Sequence, residues 1–485
     1  MAESHERPPV DRKARLKIPA QYIAKQAPNV RINNWSEVYL PISLETAKVE
    51  AERCIQCPAA PCQQACPVNN DIPGALWKLE HGDALGAGEV FHETNSVSEM
   101  CGRLCPQERL CEGHCVVGKN AKPVAIGRLE AFVADARRHD APLPVAPPPT
   151  GRRVAIVGAG PAGLTVAEDL ASAGHHCTVF DAWPMAGGVL RYGIPGFKLQ
   201  KEVVDEWLER LEPLPIEFRL NTRVGAGEEV TVDGLFDQGY GAVFLAHGAS
   251  VGNPLDVEGA DLTGVFQATE FLSHGNLRPD ELPATMRKPL FVGRRVVIIG
   301  GGDTSMDCSR TAIRLGASEV TLVYRRTEKE MVGREEERQH AREEGVRFEF
   351  LCAPVRFLAT NSGRVRAVEL QRMELGPADE SGRRRPQPVS GSEFTLEADS
   401  VVLAIGYSAD EDVPASAKGV QYDRWGMISV DRATGQTSRE GVFAGGDDVN
   451  GADLVVTAVR DAKIAARSML AYLEALDAEP ARAAS

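Results

Sequence analysis

The hydrophobic pattern divides the chain near residue 145. Upstream, apolar positions recur at helical spacing between polar breaks, which predicts a small helical segment. Residues 1–50 read as a polar arm entering a helix from Leu44 to Arg53 that Ser43 caps, delivering Cys54; Asp71 and Pro73 open a second helix, and Gly82 and Asp83 interrupt it before a third. The proline-rich stretch APLPVAPPPT at 141–150 is a stiff spacer. Beyond it, residues 152–182 read as an apolar strand, a glycine turn, a helix stopped by Gly174 and a second strand ending at Asp181, which is a βαβ unit. The same plan recurs at 294–326. Residues 376–392 have the turn-rich composition of an exposed loop. A strand and turn, GVFAGGDDVN at 441–450, precede a helix predicted over Asp453–Leu473, and the tail from Ala475 onward is expected to be loose.

Length and charge narrow the classes. The 485 residues suffice for about three domains. A formal charge of −14 disfavours nucleic acid as a standing partner, because phosphate binding needs a clustered basic surface. The N-terminus lacks the apolar run of a secretory signal and no stretch approaches the ~18 apolar residues of a membrane span, so a cytoplasmic location is expected. No Ser/His/Asp grouping or zinc-protease motif is evident.

Eight of the eleven cysteines fall in two runs, Cys54, Cys57, Cys62, Cys66 and Cys101, Cys105, Cys111, Cys115. In a reducing compartment such a block binds metal, and soft thiolates select zinc or iron–sulfur clusters. Only Cys54 and Cys57 have the knuckle spacing of structural zinc sites, whereas Cys-Pro pairs and crossed runs resemble a two-cluster ferredoxin. We therefore expect one 4Fe-4S cluster on Cys54, Cys57, Cys62 and Cys115, and a second on Cys66, Cys105, Cys111 and a fourth ligand, for which Cys101 is the candidate by count. A zinc-stabilised, non-catalytic scaffold is the alternative.

In the first glycine turn, Gly158 permits the tight bend, Gly160 lets backbone approach a pyrophosphate and Gly163 lets helix and strand pack, while Asp181 is placed to accept from a ribose 2′-OH. With GGDD at 445–448, this turn reads as an FAD site in which Asp447 contacts the ribityl or pyrophosphate portion and Thr457 lies in the first turns of the following helix. The second turn carries Gly300, Gly302 and Ser305, but its second strand ends in Arg325 and Arg326 where a ribose-binding acid would stand. Guanidinium groups pair with a 2′-phosphate, so NADPH is favoured over NADH. Cys177, Cys308 and Cys352 are isolated in sequence, so the redox cysteine pair of a disulfide reductase is missing.

With CGRLCPQERLCEGHC, GAGPAG, GGVLRYGIPGFKL at 187–199, GGGDTSMDC, YRR and AGGD in place, the chain resembles the small subunit of NADPH-dependent glutamate synthase over about residues 12–472. Related proteins include the large subunit of NADH-dependent ferredoxin:NADP oxidoreductase and the N-terminal half of dihydropyrimidine dehydrogenase. The resemblance implies an α/β chain in which a helical two-cluster Fe–S domain (1–140) and a linker (141–150) precede two Rossmann-like domains, the NADPH domain (288–410) being inserted in an FAD domain (151–287 and 411–475), with a loose tail at 476–485. It implies Gly188 at the FAD site, Asp303 and Thr304 at the NADPH site, and Glu130 rather than Cys101 as the second cluster's fourth ligand. It also implies electron delivery from NADPH to a large subunit carrying FMN and glutaminase activity or, alternatively, to a ferredoxin or small flavoprotein subunit of a transhydrogenase.

Overall fold

The computed structural model describes residues 9–378 and 384–483. In the first 140 residues, helices Leu44–Glu52, Ile72–Glu80, Ala84–His92, Ser98–Leu104 and Ile126–Asp140 enclose a core of Ala47, Leu76, Leu79, Phe91, Leu129 and Val133. The caps fall where the polar breaks put them. Ser43, Asp71 and Asp83 accept from the N–H of Thr46, Gly74 and Gly86, satisfying donors that each helix start leaves free.

A parallel sheet follows, in spatial order Val442–Ala444, Ala242–Leu245, Arg153–Val157, His176–Phe180, Ile216–Arg219, with Val154 opposite both Cys177 and Ala242. Its first strand arrives only after a second sheet has been completed, so the second domain is an insertion in the first. That sheet, also parallel, runs Val265–Gln267, Ser400–Leu403, Arg295–Ile299, Glu319–Tyr324, Arg347–Phe350. Strand Val265–Gln267 and the helix Ala268–Asn276 thus belong to the inserted domain, although both lie inside the 151–287 span expected to precede it. Their short apolar run has no glycine turn to mark a new unit.

Residues 376–392 are not wholly a loop. Strand Val365–Ala378 pairs antiparallel with Cys352–Ala359, with Arg384–Pro388 and with Phe394–Glu397. The prolines of Arg384–Pro388 sit on an edge strand, which tolerates the missing N–H. The last helix starts at Val455, two residues later than expected, and runs to Ala483, taking in most of the segment read as a loose tail, whose alanines favour helix. It buries Val456, Val459, Ala462, Ala466, Met469 and Leu473 along one face.

The arm is held down rather than free. Val38 N donates to Phe197 O (3.0 Å), and Arg31 is ion-paired with Glu343 and Glu344 of the inserted domain.

Candidate functional site: a cysteine cavity and two glycine cradles

Cys54, Cys57, Cys62 and Cys115 line one cavity with Ile55, Pro61, Ile72, Leu76, Val124 and Ile126. This is the first expected set, assembled from both cysteine runs by the helical hairpin between them. The left-handed Gln56 and Ala60 turn the chain twice so that Cys57 and Cys62 face back inward. Burial is the main cause that pushes the Cys54 and Cys62 thiols up to about 12, with the neighbouring thiols adding to it. Cys57 and Cys115 stand half-buried beside them, completing a set of four soft donors that could hold an iron–sulfur core. Among the described residues no group of three or more His, Cys, Asp or Glu side chains closes around a single metal ion; the four thiols surround a space instead.

Cys66, Cys105, Cys111, Cys101 and Glu130 form the second group, near enough that Glu130 and Cys101 both act on Cys66 and Cys105. Burial raises the Glu130 carboxyl to about 8, and its Oε1 accepts from Asn70 Nδ2 and Asn95 Nδ2 at 3.3 Å each. Cys101, 1% exposed, contacts Asn95 Oδ1 through its Sγ (3.7 Å). Both candidate fourth ligands therefore stand at the group, and the two asparagines that hold Glu130 carry no spacing signal in the sequence. Cys101, Val97 and Met100 pack into the core of the first Rossmann sheet, whereas the four-cysteine cavity belongs to the separate helical core.

At the first cradle Gly158 has φ +110°, and a Cβ there would meet Ala246 O at 2.1 Å; one on Gly163 would meet Gly158 O at 1.9 Å. Gly160 differs. The nearest atom to a Cβ is Gly188 Cα at 4.0 Å, which leaves room at the start of helix Pro161–Ser172 for a dinucleotide pyrophosphate, whereas a Cβ on Gly188 would stand 2.7 Å from Gly160 Cα, so Gly188 is what lets the two turns approach. Asp181 ends its strand and accepts from Ala159 N and Trp183 N (2.8 Å each), tying the turn to the strand. Asp447 begins the short helix Asp447–Asn450; burial raises its carboxyl to about 7, and it accepts from Asp453 N (3.2 Å). Thr457 donates to Leu454 O (2.7 Å) at the start of the long helix. Gly446 joins these parts, since a Cβ there would meet Ala162 Cβ at 3.2 Å and Ala458 Cβ at 3.7 Å. Beside the cradle, His247 and Asp448 are buried with Nδ1 and Oδ2 3.3 Å apart, a pair that single-residue reading does not reveal.

The second cradle repeats the plan at Gly300 (φ +147°), where a Cβ would meet Ala404 O at 2.2 Å, and at Gly302, where the nearest atom is Val332 Cγ2 at 3.8 Å. Asp303, Thr304 and Ser305 begin helix Asp303–Arg314, and Ser305 is buried with its Oγ donating to Ala404 O (3.4 Å). Arg325 is exposed just past the strand end, while Arg326 Nε donates to Arg384 O (3.0 Å). Cys177, Cys308 and Cys352 are buried free thiols.

A buried-thiol domain joined to two glycine cradles on parallel sheets defines an oxidoreductase that uses a flavin, a pyridine nucleotide and 4Fe-4S clusters. Residues 152–462 match the family described as pyridine nucleotide-disulphide oxidoreductase, and residues 31–141 match dihydropyrimidine dehydrogenase domain II, 4Fe-4S cluster. The glutamate synthase [NADPH] small chain of Escherichia coli is 40% identical over 93% of this chain and 96% of its own length. The chain belongs to that family. The NADP(+)-dependent formate dehydrogenase subunit beta of Moorella thermoacetica is 38% identical over 85% of this chain and 60% of its own length. The fold is shared with Mycobacterium tuberculosis FprA in complex with NADPH, at 21% identity and a TM-score of 0.57 over 68% of this chain and 86% of that one. No helix among the described residues is long and apolar enough to cross a membrane.

Proposed function

We propose that this chain is the NADPH-oxidising subunit of a glutamate synthase, delivering electrons to a large catalytic subunit. The observation that carries this reading is the cavity lined by Cys54, Cys57, Cys62 and Cys115, a four-thiol site in the same chain as two nucleotide cradles. When bound, FAD takes hydride from NADPH and the clusters pass single electrons onward. The chain's own residues position and insulate. Gly158, Gly160, Gly163, Gly188, Asp181, Asp447 and Thr457 hold FAD, and Gly300, Gly302, Asp303, Thr304, Ser305, Arg325 and Arg326 hold NADPH, with Arg325 pairing with the 2′-phosphate.

Cys54, Cys57, Cys62 and Cys115 hold one cluster, and Cys66, Cys105, Cys111 and Glu130 hold the other. Glu130 is preferred to Cys101 because its carboxylate is held by two amides, while Cys101 is packed into the neighbouring domain's core. Of the second group, Cys105 packs against the flavin domain's core, while Cys66 and Cys111 pack in the helical core with the first group. The free thiols suit a reducing, cytoplasmic setting.

A second reading, an NADP-linked subunit of a different complex such as a formate dehydrogenase or a ferredoxin-coupled transhydrogenase, is favoured by the 38% identity to the Moorella subunit. Adding the purified chain to a glutamate synthase large subunit separates them. The expected result is NADPH-dependent glutamate formation from glutamine and 2-oxoglutarate that neither chain gives alone. NADPH oxidation by dyes with no glutamate formed in the mixture contradicts the first reading.

A further inference from the structure

Between the second glycine turn and the cysteine domain runs a short strap, Met331–Arg334. On one side it lies against the cradle. Gly333 N donates to Gly301 O (3.2 Å) and Arg334 N donates to Asp303 Oδ1 (2.8 Å). A Cβ on Gly333 would stand 3.1 Å from Gly302 C and 3.3 Å from Asp303 N, tight enough to press the strap away from the cradle by a few tenths of an ångström. The strap therefore crosses the start of helix Asp303–Arg314, where the free N–H groups receive a pyrophosphate.

On its other side the strap is held by the loop that carries Cys105 and Cys111. Arg109 Nη2 donates to Val332 O (2.7 Å) and Gly333 O (3.3 Å), and Arg334 Nη2 donates to Gln107 Oε1 (3.0 Å). Arg334 is 5% exposed, and its Nε is buried with no hydrogen-bond partner. Gln107 is 4% exposed and organises the loop. Its Nε2 donates to Gly102 O (3.0 Å), and its carbonyl accepts from Glu112 N and Gly113 N (3.0 Å each). Gly127 is packed so closely beneath it that a Cβ would lie 2.3 Å from Gln107 Nε2, so the Gln107 side chain is closely confined.

We propose that the cysteine domain completes the NADPH site: Gln107 and Arg109 are positioning residues that set the strap over the second glycine turn, and nucleotide binding is felt through the strap at the Cys105–Cys111 loop. The inference rests on the reading of the second cradle as the NADPH site and of Cys105 and Cys111 as cluster ligands. A pyrophosphate arriving beside the Asp303 carboxylate competes with it for the Arg334 N–H, and the Arg334 guanidinium, 3.5 Å from Glu108 Oε2 and 3.6 Å from Glu336 Oε2, is a buried cation of the strap itself that can answer the new charge. Any such movement is transmitted to Gln107. Linkage then requires the reverse effect, with the redox state of the second cluster altering nucleotide affinity by the same factor.

The test uses the full chain with its cofactors, the exposed-residue variants Arg109→Ala and Arg109→Lys, and the buried-residue variant Gln107→Ala, with flavin and iron content as controls of folding. The readouts are NADP+ affinity by titration and the midpoint potential of each cluster by EPR-monitored redox titration, with and without saturating NADP+. The expected result is a potential shift on NADP+ binding in the wild type, confined to one cluster and lost in Arg109→Ala, with NADP+ affinity about tenfold weaker, as for a lost charged hydrogen bond, and partly restored in Arg109→Lys. NADP+ binding with no shift in the wild type, or a full shift in Arg109→Ala, overturns this proposal alone. A wild-type chain that binds no NADP+, or lacks iron–sulfur signals, overturns the underlying reading as well.

Discussion

Glycines at fixed offsets do two different jobs in these cradles, and the difference is measurable. At Gly160 the backbone is extended (φ −87°, ψ −175°) and a side chain would have protein-free space around it, so alanine there is compatible with the fold and obstructs only the ligand. At Gly163 the same methyl would collide with Gly158 O. Gly160→Ala is therefore expected to leave the stability of the flavin-free protein unchanged or raised by about 0.5 kcal/mol while flavin content falls severely. Gly163→Ala is expected to cost about 1–3 kcal/mol through overpacking. Thermal melts of the flavin-free variants and flavin-to-protein ratios check both, and equal losses of stability would contradict the distinction. These roles were legible in the sequence because turn geometry depends on local offsets. The asparagines at Glu130, the His247–Asp448 pair and the strap glycine Gly333 were not, because their partners are brought in by tertiary packing and no spacing announces them.

At the scale of elements, the arm, the first nucleotide domain and the inserted domain meet at a buried charged knot. Glu344 is fully buried and takes three guanidinium groups, Arg31 from the arm at 2.8 Å, and Arg310 and Arg314 from helix Asp303–Arg314 at 2.9 and 2.7 Å. Phe197 of the first nucleotide domain lies beneath both helix arginines at 4.2 Å. Although burial opposes ionisation most strongly here, these cations together hold the Glu344 carboxyl down at about 2. Because the folded-state value is depressed from the ordinary 4.5, its contribution to stability is present above pH 4.5 and is lost as pH falls toward 2. Glu344→Gln leaves three arginines short of a buried counter-charge, with an expected cost of about 3–5 kcal/mol near neutral pH. The variant should also lose part of the acid-side fall in stability, read as melting temperature against pH. An unchanged melting temperature at pH 7 would contradict this. Residues 1–50 read as a polar arm in the sequence, and the knot shows what anchors it: Arg31 finds its carboxylates more than 300 residues away. Long-range pairing likewise draws Arg384–Pro388 into a sheet and Val265–Gln267 into the inserted domain, against their local composition.

At the scale of the molecule, the order of parts was readable because each unit contains its own marker, a cysteine run, a glycine turn, a second glycine turn and an AGGD turn, although the inserted domain begins before its marker, at Val265. What sequence order does not convey is that the cysteine domain touches both nucleotide domains, through Ser96 on Thr165 (3.0 Å) in the first and through Arg109 and Gln107 on the strap in the second. That placement puts the helical domain in contact with the first nucleotide domain and with the second cradle at the same time.

The most direct test of the electron-transfer account is to prepare the chain without oxygen and reduce it with NADPH while recording flavin absorbance, EPR spectra and metal content. The account requires flavin bleaching, the paramagnetic signals of reduced 4Fe-4S clusters on NADPH or stronger reduction, and about eight iron and eight sulfide per chain. Zinc in place of iron, or a reducible flavin with no iron–sulfur signal under any reductant, would contradict it.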